Sequence, residues 1–233
     1  MKKLTSIFYA FLISFLFFLK PNIYGQIVLP DSIEDKLKEI KNESGQAEYL
    51  MQYALEIRET DHDLSIGIAK EVMKNAREKK DYANLARCHT YMGIVATANF
   101  QADSIKYHYN QILSLAEKHN LDRVFICAAN RGLANYYLSI RDMDNAMEYI
   151  EEAQACYESE GDLRASNGLI IKKGTVASLK GELGVSISYY LEALKYLESI
   201  NDIKSQSGLL INIASLHVAK LISILPWIIV NGL

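Results

Sequence analysis

The sequence predicts an all-α chain, an α-solenoid of antiparallel helix pairs repeating about every 40 residues. Three observations predict it. Asn42, Asp81, Asp122, Asp162 and Asp202 recur at spacings of 39, 41, 40 and 40 residues, and Asn and Asp are the residues that cap helix starts, because their side-chain oxygen accepts an orphan backbone N–H. Twelve residues behind each lies a small residue: Ala54, Gly93, Ala134, Gly174 and Ala214. A small side chain at a fixed place in each repeat is what two closely crossing helices require. Finally, 233 residues contain only three prolines and twelve glycines, so the chain has few obligatory breaks and favours long helices.

Taken in order, Pro30 and Asp31 precede a short leading helix from Ser32 to about Lys41, with Ile33, Leu37 and Ile40 on one face. The first repeat turns near Asp61-His62-Asp63, and Ile66, Ala69 and Met73 follow at helical spacing. The second turns near Phe100-Gln101 and continues with Ile105, Tyr109 and Ile112. In the third, helix A runs from about Asp122 to Ser139, Arg141-Asp142 turns, and helix B runs from about Met143 to Ser159. Its apolar residues recur at three and four: Leu133, Ala134 and Tyr137, then Ala146, Tyr149, Ile150 and Ala153. The fourth turns at Gly181-Glu182, with Ile187, Tyr190, Leu191 and Leu194 on helix B. A fifth helix A begins at Asp202, with Ile213, Ala214 and His217 in register. The paired tyrosines Tyr107/Tyr109, Tyr136/Tyr137 and Tyr189/Tyr190 read as core packing residues.

The run Leu133-Ala134-Asn135-Tyr136-Tyr137, followed by Ala146, Tyr149, Ile150 and Ala153, resembles the tetratricopeptide repeat, with Ala134 where that motif has Gly. The fourth repeat keeps Gly174, Gly181, Tyr190, Ala193 and Leu194, with Lys173 at the Leu position; the second keeps Gly93, Tyr109 and Leu113. The period is longer than the family's ~34 residues and falls near the ~40 of HEAT-like arrays, which are the rival; the motif residues favour tetratricopeptide repeats with extended helices. The resemblance implies a right-handed solenoid whose A helices line a concave wall that holds a peptide or a helix.

The first 25 residues read as a signal peptide. Lys2 and Lys3 precede a charge-free stretch, Leu4 to Leu19, and Ile23-Tyr24-Gly25 offers a cleavage point before Gln26. Sixteen residues are slightly short for a membrane span of about 20, so an uncleaved inner-membrane anchor is the alternative to an exported, periplasmic protein. The expected organisation is therefore 1–25 leader, 26–41 leading helix, 42–217 about four and a half repeats, and 218–233 an aberrant apolar tail. In that tail a turn is due near residue 221, yet the chain reads LISILPWIIVNGL, with Pro226 at its centre. The tail reads as the mark of a truncated or frame-shifted gene product, or as a membrane-contacting segment. An exported leader before such repeats resembles the sensor regions of Bacteroidetes-type signalling proteins.

Composition narrows the function. Without Lys2, Lys3 and Lys20 the body carries 22 basic against 28 acidic residues, a balance that gives no footprint for nucleic acid. No GxSxG, HExxH, P-loop or dinucleotide fingerprint occurs, so no enzyme, metal or cofactor is expected. Cys88, Cys127 and Cys156 are odd in number and irregularly spaced, and read as small apolar residues in helix interfaces, although export would permit a disulfide. The expected function is binding of a protein or peptide, with a structural scaffold or a non-functional fragment as the alternative. The repeat register places Arg58, Arg87, Thr90, Arg131, Asn135 and Ser178 on the groove lining, Arg131 and Asn135 one turn apart.

Overall fold

The computed structural model describes residues 27–231, with side chains described as far as residue 223; the expected leader lies outside the described residues. Among them are ten α-helices and no strand: α1 (Asp31–Glu39), α2 (Glu43–Ile57), α3 (His62–Lys79), α4 (Tyr82–Ala98), α5 (Ala102–His119), α6 (Arg123–Ser139), α7 (Met143–Ser159), α8 (Leu163–Leu179), α9 (Leu183–Ser199) and α10 (Ile203–Asn231). The chain divides into two compact units, one ending at Tyr91 and one beginning at Met92, within α4. In the first, α2 packs on α3; in the second, α5 through α9 each pack on the next helix in the chain.

The cap series is carried out atom by atom. Backbone N–H groups of Gly45, Asn84, Val124, Ala165 and Ser205 donate to the side chains of Asn42, Asp81, Asp122, Asp162 and Asp202 at 2.6–3.1 Å. Asp61 and Asp142 cap the intervening helices in the same way. Every turn from Lys80 onward also contains one residue in the left-handed region: Lys80, Phe100, Asn120, Arg141, Gly161, Gly181 and Asn201, at intervals of 20 or 21 residues. The N–H of the following residue reaches back five positions to a helix-end carbonyl, as from Asp81 to Ala76 and from Asp162 to Tyr157 at 2.9 Å. This Schellman closure satisfies the end of one helix. At most turns the residue that completes it is also the N-cap residue of the next, which is why two residues suffice to reverse the chain.

The small-residue series marks helix crossings in four of its five places. Ala54 and Ala134 are fully buried, and Gly93 and Gly174 are buried. The hydroxyls of Ser65 and Ser186, on the paired helices, donate to the carbonyls of Ala54 and Gly174 at 2.6 and 2.7 Å. A Cβ on Gly174 would lie 2.4 Å from the Tyr190 ring, and one on Gly93 2.7 Å from Tyr109. The fifth place departs: Ala214 and His217 are exposed, because no turn forms near residue 221. Instead α10 continues unbroken to Asn231, through Pro226. Among its described side chains, the side bearing Leu209, Ile213 and Leu216 is buried, against α9.

The 40-residue period is also spatial. In the first unit Asn84 on α4 donates to the carbonyl of Ser44 on α2, 40 positions earlier, at 2.9 Å, and Arg87 pairs with Glu48, 39 earlier, at 2.8 Å. In the second, Arg164 reaches Asp202 across 38 positions at 3.4 Å. One tyrosine of each expected core pair is buried (Tyr109, Tyr136, Tyr190), whereas Tyr107 is half exposed.

The cysteines differ from expectation. Cys127 on α6 and Cys156 on α7 form a disulfide, and only Cys88 is free, buried against Met51. Spacing along the chain carried no sign of this pair; the antiparallel packing of α6 on α7 brings the two together.

Candidate functional site

An open pocket of about 420 Å³ lies in the second unit, lined by Arg131 from α6 and by Asp162, Arg164, Ala165, Gly168 and Lys172 at the start and along one face of α8. Ala165, Gly168 and Lys172 share that face through their spacing of three and four. The two small residues make the space. A Cβ built on Gly168 would meet nothing within 4 Å, and Lys172 rises one turn further on.

Arg131 is held from below. Its guanidinium lies 5.5 Å from the centre of the Tyr157 ring on α7, within cation–π range. Tyr157 directly follows Cys156, and Cys127 lies one turn before Arg131. The disulfide therefore ties α6 to α7 within one turn of both partners in the stack. Burial pushes the Tyr157 hydroxyl above the ordinary tyrosine value, with Arg131 acting against it.

Lys172 is half-buried, and burial, reinforced by the charge of Arg131, holds its ammonium below the ordinary lysine value. Among the described residues neither Arg131 nor Lys172 forms an ion pair, while the neighbouring Lys173 pairs with Glu151 at 3.6 Å. The one carboxylate lining the pocket, Asp162, already caps α8 through the Ala165 N–H. Arg164 is 77% exposed and leans toward Asp202. Three cations thus face one engaged carboxylate.

The other residues expected on a groove lining are placed as follows. Arg58 ends α2 and pairs with adjacent Glu59. Arg87 on α4 pairs with Glu48 and also donates to Asn84 at 3.3 Å; the Thr90 hydroxyl donates to Ala86 of its own helix. Asn135 and Ser178 are both half-buried, on α6 and α8. Of the six, the structure brings Arg131 alone into the pocket. Lys172 is the residue that sequence reasoning missed. It stands 41 residues after Arg131, one repeat on, and that equivalence was the available signal.

A smaller pocket of about 220 Å³ in the first unit is lined by Glu43, Ser44, Ala47, Asn75, Ala76, Lys79 and Asp81. Its charged groups are engaged: Lys79 pairs with Glu43, and Asp81 accepts a hydrogen bond from the Asn84 side-chain amide. Among the described residues no group of three His, Cys, Asp or Glu side chains could hold a metal ion, and no helix is long and apolar enough to cross a membrane. Comparison with protein-family models and with curated proteins finds no match.

Proposed function

We propose that this chain is an exported, non-catalytic helical repeat module of tetratricopeptide type that binds a peptide or protein segment across successive A helices. The observation that carries the reading is the pocket between α6 and α8. It is open, it is built by equivalent helices of adjacent repeats, and among the described residues two of its cations, Arg131 and Lys172, form no ion pair. Repeat arrays of this kind expose a continuous surface of equivalent helices, so a ligand laid across them meets one contact set per repeat. The tetratricopeptide assignment rests on the motif residues, and on Tyr109 and Tyr190 filling the space beside Gly93 and Gly174.

Export is supported by the leader sequence and by the Cys127–Cys156 disulfide, since disulfides persist in oxidising compartments and are rare where thiols are kept reduced. Sequencing the N-terminus of the expressed protein should find Gln26 or a neighbour; a chain starting at Met1 in the cytoplasm refutes export. The binding reading is tested by titrating the purified protein against a broad panel of fluorescent decapeptides. Saturable binding of some members is expected. Uniformly non-saturable signals would leave the structural-scaffold alternative in its place.

A further inference from the structure

We propose that α10 is a self-association element, whose outer face packs antiparallel against the same face of a second copy of this chain. The proposal goes beyond the peptide-binding reading and does not rest on it. It starts from the repeat register. Gly174 on α8 lies where α9 crosses, with the Tyr190 ring filling the space beside it, and Ala214 stands 40 residues later on α10. The face that receives a helix on α8 is exposed on α10, because α10 runs to Asn231 without a turn near residue 221. Along it Ser207, Ile211, Ala214, Val218 and Leu221 follow at spacings of 4, 3, 4 and 3 residues, the seam of a helix that pairs with another helix. All five are exposed, and so are Leu210 and Ile222 on either side of them. With a turn of ~100° per residue, this seam lies opposite Leu209, Ile213 and Leu216, which pack on α9. A helix that is apolar on both sides is suited to burial on both.

A second α10 is the occupant that matches. Six large exposed hydrophobic side chains lie on α10 (Ile203, Leu210, Ile211, Val218, Leu221 and Ile222), and no other helix among the described residues bears more than two. The strip finds an apolar counterpart of its own length only on another copy. Charge agrees with this. Between Lys204 and Lys220 the helix carries no carboxylate, lysine or arginine, so two copies meet there without like-charge repulsion and a charged partner gains nothing. In a two-fold pair each residue of the strip is buried twice, once on each copy. The side chains also set the direction. The seam is narrow at Ser207 and Ala214 and wide at Leu221 and Ile222. An antiparallel pair sets narrow against wide and keeps the two axes evenly spaced, with Ala214 permitting close approach. A parallel pair would set wide against wide and bring the two Lys204 ammoniums to the same level.

The experiment uses the chain from Gln26 onward, which keeps every described residue. Sedimentation equilibrium between about 1 and 100 µM should show a monomer–dimer equilibrium. Val218→Glu sets a carboxylate into the seam twice per dimer, and should weaken association by about a hundredfold or more with unchanged far-ultraviolet circular dichroism. Leu221→Gln should weaken it in the same direction, and serves as the readout if Val218→Glu loses helicity. Ala214→Ser should retain the dimer, whereas Ala214→Gln, which holds the helices apart, should weaken it by about tenfold. Leu191→Glu, at an exposed position on α9, should leave it unchanged. Ser207→Cys under oxidising conditions should give no disulfide-linked dimer, because an antiparallel pair holds the two copies of this position apart. A chain that stays monomeric throughout, assembly that grows past the dimer, or equal weakening by Leu191→Glu overturns the proposal. A cross-linked Ser207→Cys dimer overturns the antiparallel arrangement. A monomeric chain that floats with phosphatidylcholine–phosphatidylglycerol vesicles also overturns it, and assigns the face to a membrane surface.

Discussion

At the scale of single residues, two positions show backbone and packing pulling in opposite directions. Phe100 sits at φ +55° with its ring 90% exposed. A left-handed conformation costs an L-residue about 1–2 kcal/mol, and an exposed ring returns almost nothing. Gly161 and Gly181 fill the same turn position three and four half-repeats later. Phe100→Gly should therefore stabilise the protein by about 1 kcal/mol, and a urea midpoint at or below that of the parent would contradict it. Gly132 is the reverse case. A Cβ there would stand 2.2 Å from the Tyr109 ring, which is itself buried and also presses on the Gly93 position. With no free direction for the ring to move, Gly132→Ala should destabilise by about 1–3 kcal/mol despite its better helix propensity. An unchanged thermal midpoint would mean that the ring adjusts freely.

At the scale of elements, one side chain often serves two structures. Asp81 closes the end of α3 through its own N–H and opens α4 through its carboxylate. Burial tends to raise its pKa, but hydrogen bonds from Ser44 and Asn84, with help from Arg87, outweigh it and hold the carboxyl below the ordinary aspartate value. A carboxylate with a depressed folded pKa contributes stability above its unfolded value of about 3.9, and that contribution is lost as pH falls through the folded value. Asp81→Ala should thus cost about 1 kcal/mol at pH 7, through the loss of the cap. The gap between variant and parent should narrow as pH falls below about 4. Denaturation at pH 7 and at pH 3 checks both statements, and a gap that widens in acid would sink the linkage.

At the scale of each unit, the helix pairs that pack among the described residues are neighbours in the chain, so stability builds up by nearest-neighbour terms. The exception is the outer side of α10. Ile211, Val218, Leu221 and Ile222 are each more than half exposed, on a helix whose other side packs against α9. A contiguous apolar strip of this sort promotes association. Removing residues 221–233 should therefore leave α1 to α9 folded and reduce self-association, which size-exclusion chromatography of full-length and shortened chains measures directly. A monomeric full-length chain together with an unfolded shortened one would show instead that these residues are integral to the fold.

The sequence by itself determined the elements and their register. Asn42, Asp81, Asp122, Asp162 and Asp202 name helix starts because capping is local chemistry, readable without knowing what lies nearby. Ala54, Gly93, Ala134 and Gly174 name crossings because only a small side chain admits a neighbouring helix. It likewise showed that residues near 221 lack a turn, although not that α10 would run on through them. The tertiary structure alone decided which side chains meet. Lys172 and Lys173 are adjacent in sequence, but a helix turns them about 100° apart, so one faces Glu151 and the other the pocket. Cys127 and Cys156 pair because α6 and α7 are antiparallel and in contact, and Arg131 and Lys172 line one pocket because α6 and α8 both border it. Caps and periods arise within a few residues of chain, whereas the disulfide and the basic pocket arise between helices, where only packing fixes the facing residues.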